Sequence, residues 1–435
     1  MNAPRRKFAF ASSRFARRAA RAFACTLLVS LPHGNAQTTG SDGKPIQSGT
    51  AAAGSGFDDK ATGDWDGARK RLQDAGISIN SQLILEGFDN MRGGLRTGAV
   101  GSTTFDLNIT VDTGRTLGLN GGSFYAGIED HAFRNPSTAL TGDLQFFDKN
   151  NADPYLQVFE LWYQQLLFDG RFRIKLGKFD GNTEFGVIDN GLFFLTSAAQ
   201  LPPSFFLLPT TPDPMPGALV SYTPVKSWYT NFGVFYSNRS DTFGDLDGHP
   251  QNAQPTANGV LFAGETGFLW DSAPFLNANG NLKLGVWGHT GTFTRLGGGT
   301  RVGAQGWYAI LNQTLWTPPG DPPPGVAQTR GVRAYLEGGS TQSSVSNLDW
   351  NISGGLSWTG PCAMRPDDAV GLSASSAHIS PQAGLPYSGE VAIEALYRIQ
   401  LRKWAGIAPD LQYIIHPGGR YPNALVGTLQ LTVQF

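Results

Sequence analysis

The last nine residues, Gly427 to Phe435, alternate apolar and polar side chains without a break. Leu429, Leu431, Val433 and Phe435 fall on one face of a strand, and Thr428, Gln430, Thr432 and Gln434 on the other. The same period of two returns at Ile77, Ile79, Leu83 and Leu85, which oppose Ser78, Asn80, Gln82 and Glu86. It returns again where Phe105, Leu107, Ile109 and Val111 oppose Thr104, Asp106, Asn108 and Thr110. Late in the chain Val391, Ile393, Ala395, Tyr397, Ile399 and Leu401 oppose Glu390, Glu394, Arg398 and Gln400. Runs of roughly eight to twelve residues with this period suit strands that cross a bilayer with one face on lipid and one on water. A soluble sandwich explains any one such strand. Recurrence, with no buried helices to cover so many sheets, favours lipid.

The hairpin Tyr155 to Phe179 turns at Asp169-Gly170, a pair suited to a two-residue type I′ turn that sets the register. That register places Leu167 opposite Phe172, Gln165 opposite Ile174 and Tyr163 opposite Leu176 on one face. The other face pairs Leu166 with Arg173, Gln164 with Lys175, Trp162 with Gly177 and Glu160 with Phe179. Sixteen candidate strands follow: 77–88, 103–112, 122–130, 155–167, 171–180, 217–224, 228–238, 260–268, 281–294, 305–316, 329–340, 349–358, 368–377, 388–402, 404–415 and 423–435. The predicted fold is all-β, a transmembrane antiparallel β-barrel of about sixteen strands around an aqueous lumen. Tight turns alternate with the long loops 131–154, 181–216 and 239–259, which are expected outside the cell. The 181–216 segment, with Asp189, Phe193, Phe194 and Pro202-Pro203, is the expected constriction.

Composition agrees. The 56 glycines and 11% aromatics suit many strands and turns, and only 40% of residues are apolar because alternate positions face water. No apolar stretch after the N-terminus is long enough for a membrane helix. A net charge of −1 gives no reason to expect a nucleic-acid partner. Residues 1–36 read as a secretory signal: Arg5, Arg6, Lys7, Arg14, Arg17, Arg18 and Arg21 precede a short apolar core, and Gly34 and Ala36 precede the expected cleavage site. Arg5-Arg6-Lys7-Phe8 only faintly resembles a twin-arginine signal, a route for folded proteins. Residues 37–62 read as a flexible tether and 63–435 as the barrel. Cys25 lies in the leader ahead of the apolar core, the wrong order for a lipoprotein anchor. Cys362 is then the one mature thiol, and no internal disulfide is expected.

The histidines, His33, His131, His249, His289, His378 and His416, lack metal-ligand spacing, and no nucleophile elbow or phosphate loop is present. No enzyme activity, metal or cofactor is expected. His289, at an inward position, is the least implausible base for a barrel lipid hydrolase. The chain also lacks room for both a plug domain and the strands of a large energised receptor.

Gly63-Asp64-Trp65-Asp66-Gly67-Ala68-Arg69, Glu160-Leu161-Trp162, Leu176-Gly177-Lys178-Phe179-Asp180, the strand Glu390 to Tyr397 and above all Pro409-Asp410-Leu411-Gln412-Tyr413-Ile414-Ile415-His416-Pro417-Gly418-Gly419 resemble the OprB family of carbohydrate-selective porins. The resemblance covers roughly residues 63–435. It implies a sixteen-stranded barrel in a Gram-negative outer membrane passing glucose and other sugars by diffusion, as a monomer or a homotrimer.

A passive sugar channel needs groups that replace part of the sugar's water and aromatic faces for its C–H surface, with binding weak enough for release. Inward positions supply Asp106, Asn108, Glu160, Trp162, Gln164, Arg173, Lys175, Arg333, Glu337, Glu390, Glu394 and Arg398. Trp162 is the expected stacking platform, with Glu160 and Arg173 as polar grips. Each is equally an ordinary solvated wall residue. Arg92 and Arg96 are placed to dip into the mouth. The mixed signs mildly favour neutral solutes, and a general or ion-selective porin remains the alternative. Expected partners are small carbohydrates, outer-membrane lipids and, through the strand ending in Phe435, the barrel-assembly machinery.

Overall fold

The computed structural model describes residues 57–237, 258–273, 278–319 and 330–435. The expected signal segment, most of the expected 37–62 tether and most of the 239–259 loop, with Cys25, His33 and His249, lie outside the described residues. Sixteen antiparallel strands close into one barrel, each paired with its neighbours in sequence and the last with the first. They are β1 (Ile77–Arg92), β2 (Gly98–Asp112), β3 (Gly122–Phe133), β4 (Tyr155–Leu167), β5 (Phe172–Phe179), β6 (Met215–Val225), β7 (Trp228–Ser237) and β8 (Gly259–Trp270). The second half comprises β9 (Gly280–Thr294), β10 (Thr300–Trp316), β11 (Gly331–Thr341), β12 (Leu348–Thr359), β13 (Ala369–Ile379), β14 (Gly389–Arg402), β15 (Ala405–Ile415) and β16 (Ala424–Gln434). Helix α1 (Ala68–Asp74) precedes the barrel, and α2 (Thr113–Leu117) joins β2 to β3.

Closure pairs Leu85 with Leu431 and Glu86 with Gln430, so the terminal strand's apolar face continues that of the first. Closing the sheet leaves no edge of unpaired backbone groups, which hydrocarbon cannot satisfy. The outer face is greasy and open: Leu372 is 60% exposed, Leu429 56% and Phe232 53%. An aromatic group marks the short-turn rim, where Phe172 stacks on Tyr222 with ring centroids 4.5 Å apart and Trp228 meets Tyr222 edge-on. Such rings, apolar in body and polar at the tip, settle at the headgroup level.

The β4–β5 register runs as expected from Leu167–Phe172 to Leu161–Lys178. Phe168, Asp169 and Gly170 all have positive φ (54°, 56° and 83°), a left-handed run that includes the expected Asp-Gly turn. The expected Glu160–Phe179 pair lies beyond that ladder. A shift in the β3–β4 pairing sets Glu160 against Gly127 and Val158 against Ile128, so Phe159 is left over as a bulge. Several strands outrun their sequence limits, β2 starting at Gly98 and β3 running to Phe133 among them. β1 continues past Gly87 to Arg92, and β10 starts at Thr300 because a bulge at Gly303 (φ 78°) absorbs the break in alternation.

At the short-turn end, residues 57–62 lie against the barrel. Ala61 N–H donates to the Gln434 carbonyl (2.8 Å), and Lys60 Nζ donates to Gln434 Oε1 (3.2 Å). Arg69 anchors this segment, buried with its guanidinium over Trp65 (4.1 Å) and Phe57 (5.1 Å).

Candidate functional site

A sixteen-stranded barrel encloses more space than wall side chains can fill. Here two loops turn inward and fill much of it. The first, residues 180–214, circles the inner wall. Its Glu184 takes a hydrogen bond from Arg173 Nη1 (2.9 Å) and another from Lys175 Nζ (3.0 Å), all three being buried. Burial on its own would raise the Glu184 carboxyl, but Arg173 and Lys175 outweigh it and hold it down at about 2. Gly186 N–H then donates to Glu265 of β8 (2.9 Å), and Asp189 pairs with Lys283 of β9 (2.8 Å). Asn190 N–H donates to Asn312 of β10 (2.9 Å), and Leu195 N–H donates to Glu394 of β14 (2.7 Å). On the return, Ser204 N–H donates to Asn351 of β12 (3.0 Å).

Between these pins the loop builds a hydrophobic core inside the bore. Phe185, Ile188, Phe194, Phe205 and Leu208 pack on Phe235, Trp287, Tyr308 and Tyr335 of the wall. Wall glycines make the approach possible: a Cβ at Gly233 would lie 2.7 Å from the Phe185 ring, and one at Gly355 would lie 2.9 Å from the Phe194 ring. The segment expected as the constriction therefore does enter the bore.

The second inserted loop, residues 134–154, was expected only as a long external one. Glu390 of β14 accepts the N–H groups of Leu144 (2.9 Å), Gln145 (2.9 Å) and Gly418 (2.6 Å). Phe147 packs against Phe88, Ile414 and Val426. Two backbone bonds join the loops, Lys149 N–H to Leu195 O (2.8 Å) and Ser197 N–H to Phe146 O (2.9 Å). The mismatch had a legible signal, since Leu140, Leu144, Phe146 and Phe147 are too apolar for a loop in free water.

All twelve candidate lining residues stand at inward positions of the register. Most are occupied by the loops. Arg173, Lys175, Glu390 and Glu394 bond to them directly, and Glu160 accepts Asp180 N–H (2.9 Å). Glu337 holds Asn351 (2.7 Å), which in turn accepts Ser204 N–H. Arg398 donates to Phe193 O and lies over its ring (5.1 Å). Trp162 is 5% exposed, with Tyr125 stacked on it and Lys175 Nζ 4.2 Å from its ring centroid. Gln164 is buried nearby. Asp106, Asn108 and Arg333 are half-buried. His289 is inward and buried, its Nδ1 accepting Gly291 N–H (2.9 Å). Arg92 ends β1 and Arg96 follows it, both exposed and neither lining the mouth.

At the long-loop end a cavity of about 790 Å³ lies between the two inserted loops and the β9–β10 and β11–β12 connections. Its lining includes Phe146, Phe206, Asn150, Asn182, Gln200 and Asn347, with Lys149, Asp180 and Arg295 as the charged members. Phe146 has φ 54°, a left-handed conformation unusual for a bulky residue, and its ring is 42% exposed. Burial, and then the neighbouring Glu160, push the Asp180 carboxyl up to about 7. Burial, and then the neighbouring Arg398, bring the Lys149 ammonium down to about 8. Amides and partly exposed rings around a cavity of this size can bind a small polar solute that also has an apolar face.

A profile described as carbohydrate-selective porin, OprB family, matches residues 96–435. Porin B of Pseudomonas aeruginosa is 22% identical over 423 residues, covering 86% of this chain and 90% of its own length. The high-pH structure of Pseudomonas putida OprB superposes with a TM-score of 0.75 at 20% identity, and the low-pH structure with 0.57 at 18%. Each match covers 88% of this chain and the whole of the solved one.

Proposed function

The chain belongs to the OprB family of carbohydrate-selective porins, and from that premise we infer that sugars enter through the mouth cavity between its two inserted loops. It is an outer-membrane porin through which carbohydrates diffuse passively into the periplasm. The family is one of channels, not a class of enzyme. The wall residues Glu160, Arg173, Lys175, Glu337, Glu390, Glu394 and Arg398 act on the sugar through the loops that they hold. Phe146 takes the part of the stacking platform, and Asn150, Asn182 and Asn347 offer hydrogen bonds to hydroxyls. The observation that carries this reading is the exposed Phe146 ring, held over the cavity in a left-handed backbone conformation by Ser197. Strain of that kind persists where the surroundings enforce it. The signal segment would deliver the chain for export, and the strand ending in Phe435 would present it to the assembly machinery.

Glucose is expected to block ion current in planar bilayers reversibly. Phe146→Ala should raise the half-blocking concentration roughly fivefold, a loss of about 1 kcal/mol, with open-channel conductance unchanged. Equal block in both proteins would remove Phe146 from the path, and no block by any sugar would remove the cavity.

A further inference from the structure

The mouth cavity has a charged lining in which cations outnumber carboxylates. Lys149 and Arg295 carry positive charge, and Asp180 is the one carboxylate among the described lining residues. Among the described residues neither cation's side chain makes a close ion pair or a hydrogen bond, although Asp148, Glu86 and Glu394 act on Lys149 from farther off. The carboxylates that act on Lys149 take hydrogen bonds from other groups, Asp148 through Oδ1 alone. Glu394 of β14 accepts the N–H groups of Leu195 and Thr196, and Asp148 accepts Asn150 N–H (2.7 Å). Glu86 of β1 is held by Ser102 Oγ (2.9 Å), Asn150 Nδ2 (3.1 Å) and Gln430 Nε2 (2.7 Å). Arg398 of β14 is a second cation that acts on Lys149. The backbone bond from Lys149 to Leu195 fixes the root of this lysine on the inserted loops, so its charge is a feature of the opening and not of a loose surface chain.

We propose that the mouth cavity favours carbohydrates bearing a carboxylate, the uronic and aldonic acids, over neutral sugars of the same size. The proposal rests on the cavity being the sugar path. An incoming carboxylate can make the close ion pair that Lys149 and Arg295 do not have within the chain, while the ring meets Phe146 and the amides as a neutral sugar would. Because the site stays open to water, the attraction raises entry without trapping the solute.

Acidity adds a second handle. Asp180, faced by Glu160 and Lys175, loses its proton near pH 7, and Lys149, faced by Arg398, Asp148, Glu86 and Glu394, loses its own near pH 8. Both steps make the cavity less positive, so the preference for acids should fall as pH rises from 6 to 9.

Uptake of labelled glucuronate and labelled glucose into proteoliposomes tests this, since the two share a ring and differ in the carboxylate. At low ionic strength and pH 6 the full chain should take up glucuronate roughly fivefold faster than glucose. Lys149→Gln and Arg295→Gln should each reduce that ratio, and the double variant should bring it near one. A ratio near one in the unaltered chain, or a ratio that survives in the double variant, overturns the proposal. Glucose uptake no faster than into protein-free liposomes would instead overturn the sugar path itself, and the acid preference with it.

Discussion

Glu184→Ala is expected to open the bore. The substitution leaves Arg173 and Lys175 buried without their shared carboxylate, and breaking a buried ion pair on one side costs about 3–5 kcal/mol. The cheapest relief is for water to enter and for the 180–214 loop to leave the wall at this corner. Single-channel conductance should rise and block by glucose should weaken, read together in planar bilayers. Glu184→Gln keeps the shape without the charge and should move both in the same direction. The wild type carries its own version of this experiment. A carboxyl held at about 2 stabilises the folded loop fully above its ordinary pKa near 4.5, and that contribution disappears as pH falls towards 2. Conductance should therefore climb below pH 4. Unchanged conductance and block in both variants would mean that the remaining pins hold the loop alone.

Leu372→Arg should abolish assembly. Leu372 stands on the outer face of β13 between Leu356 and Ala395, with no polar neighbour in either ladder. An arginine on the lipid face costs up to about 2–4 kcal/mol, most at the bilayer midplane and less towards the interfaces, whereas alanine at the same place loses only a contact with lipid. Folding into liposomes, followed by heat-modifiable mobility in gels, should fall sharply for Leu372→Arg and little for Leu372→Ala. Equal folding of the two would argue that this face never meets hydrocarbon.

The two predictions divide along a line in how the molecule is encoded. Which side chains face lipid is a local property. Successive side chains of a strand point to opposite faces, so Leu429, Leu431 and Val433 had to share a face, and Asp169-Gly170 had to set the Leu167–Phe172 register. Barrel, strand number and inward residues all follow from that period of two. What the inward residues do is not local. Glu390 was legible as inward, but only closure brings it to the backbone of Leu144 and Gln145, some 245 positions away. Trp162 was legible as an inward ring, but only folding lays Tyr125 and Lys175 on it and leaves the exposed platform to Phe146. The alternation in the chain thus determined the wall and its two solvents. The tertiary structure alone decided what fills the bore, because a buried carboxylate must find donors and a half-empty barrel must find apolar side chains, wherever in the chain these lie.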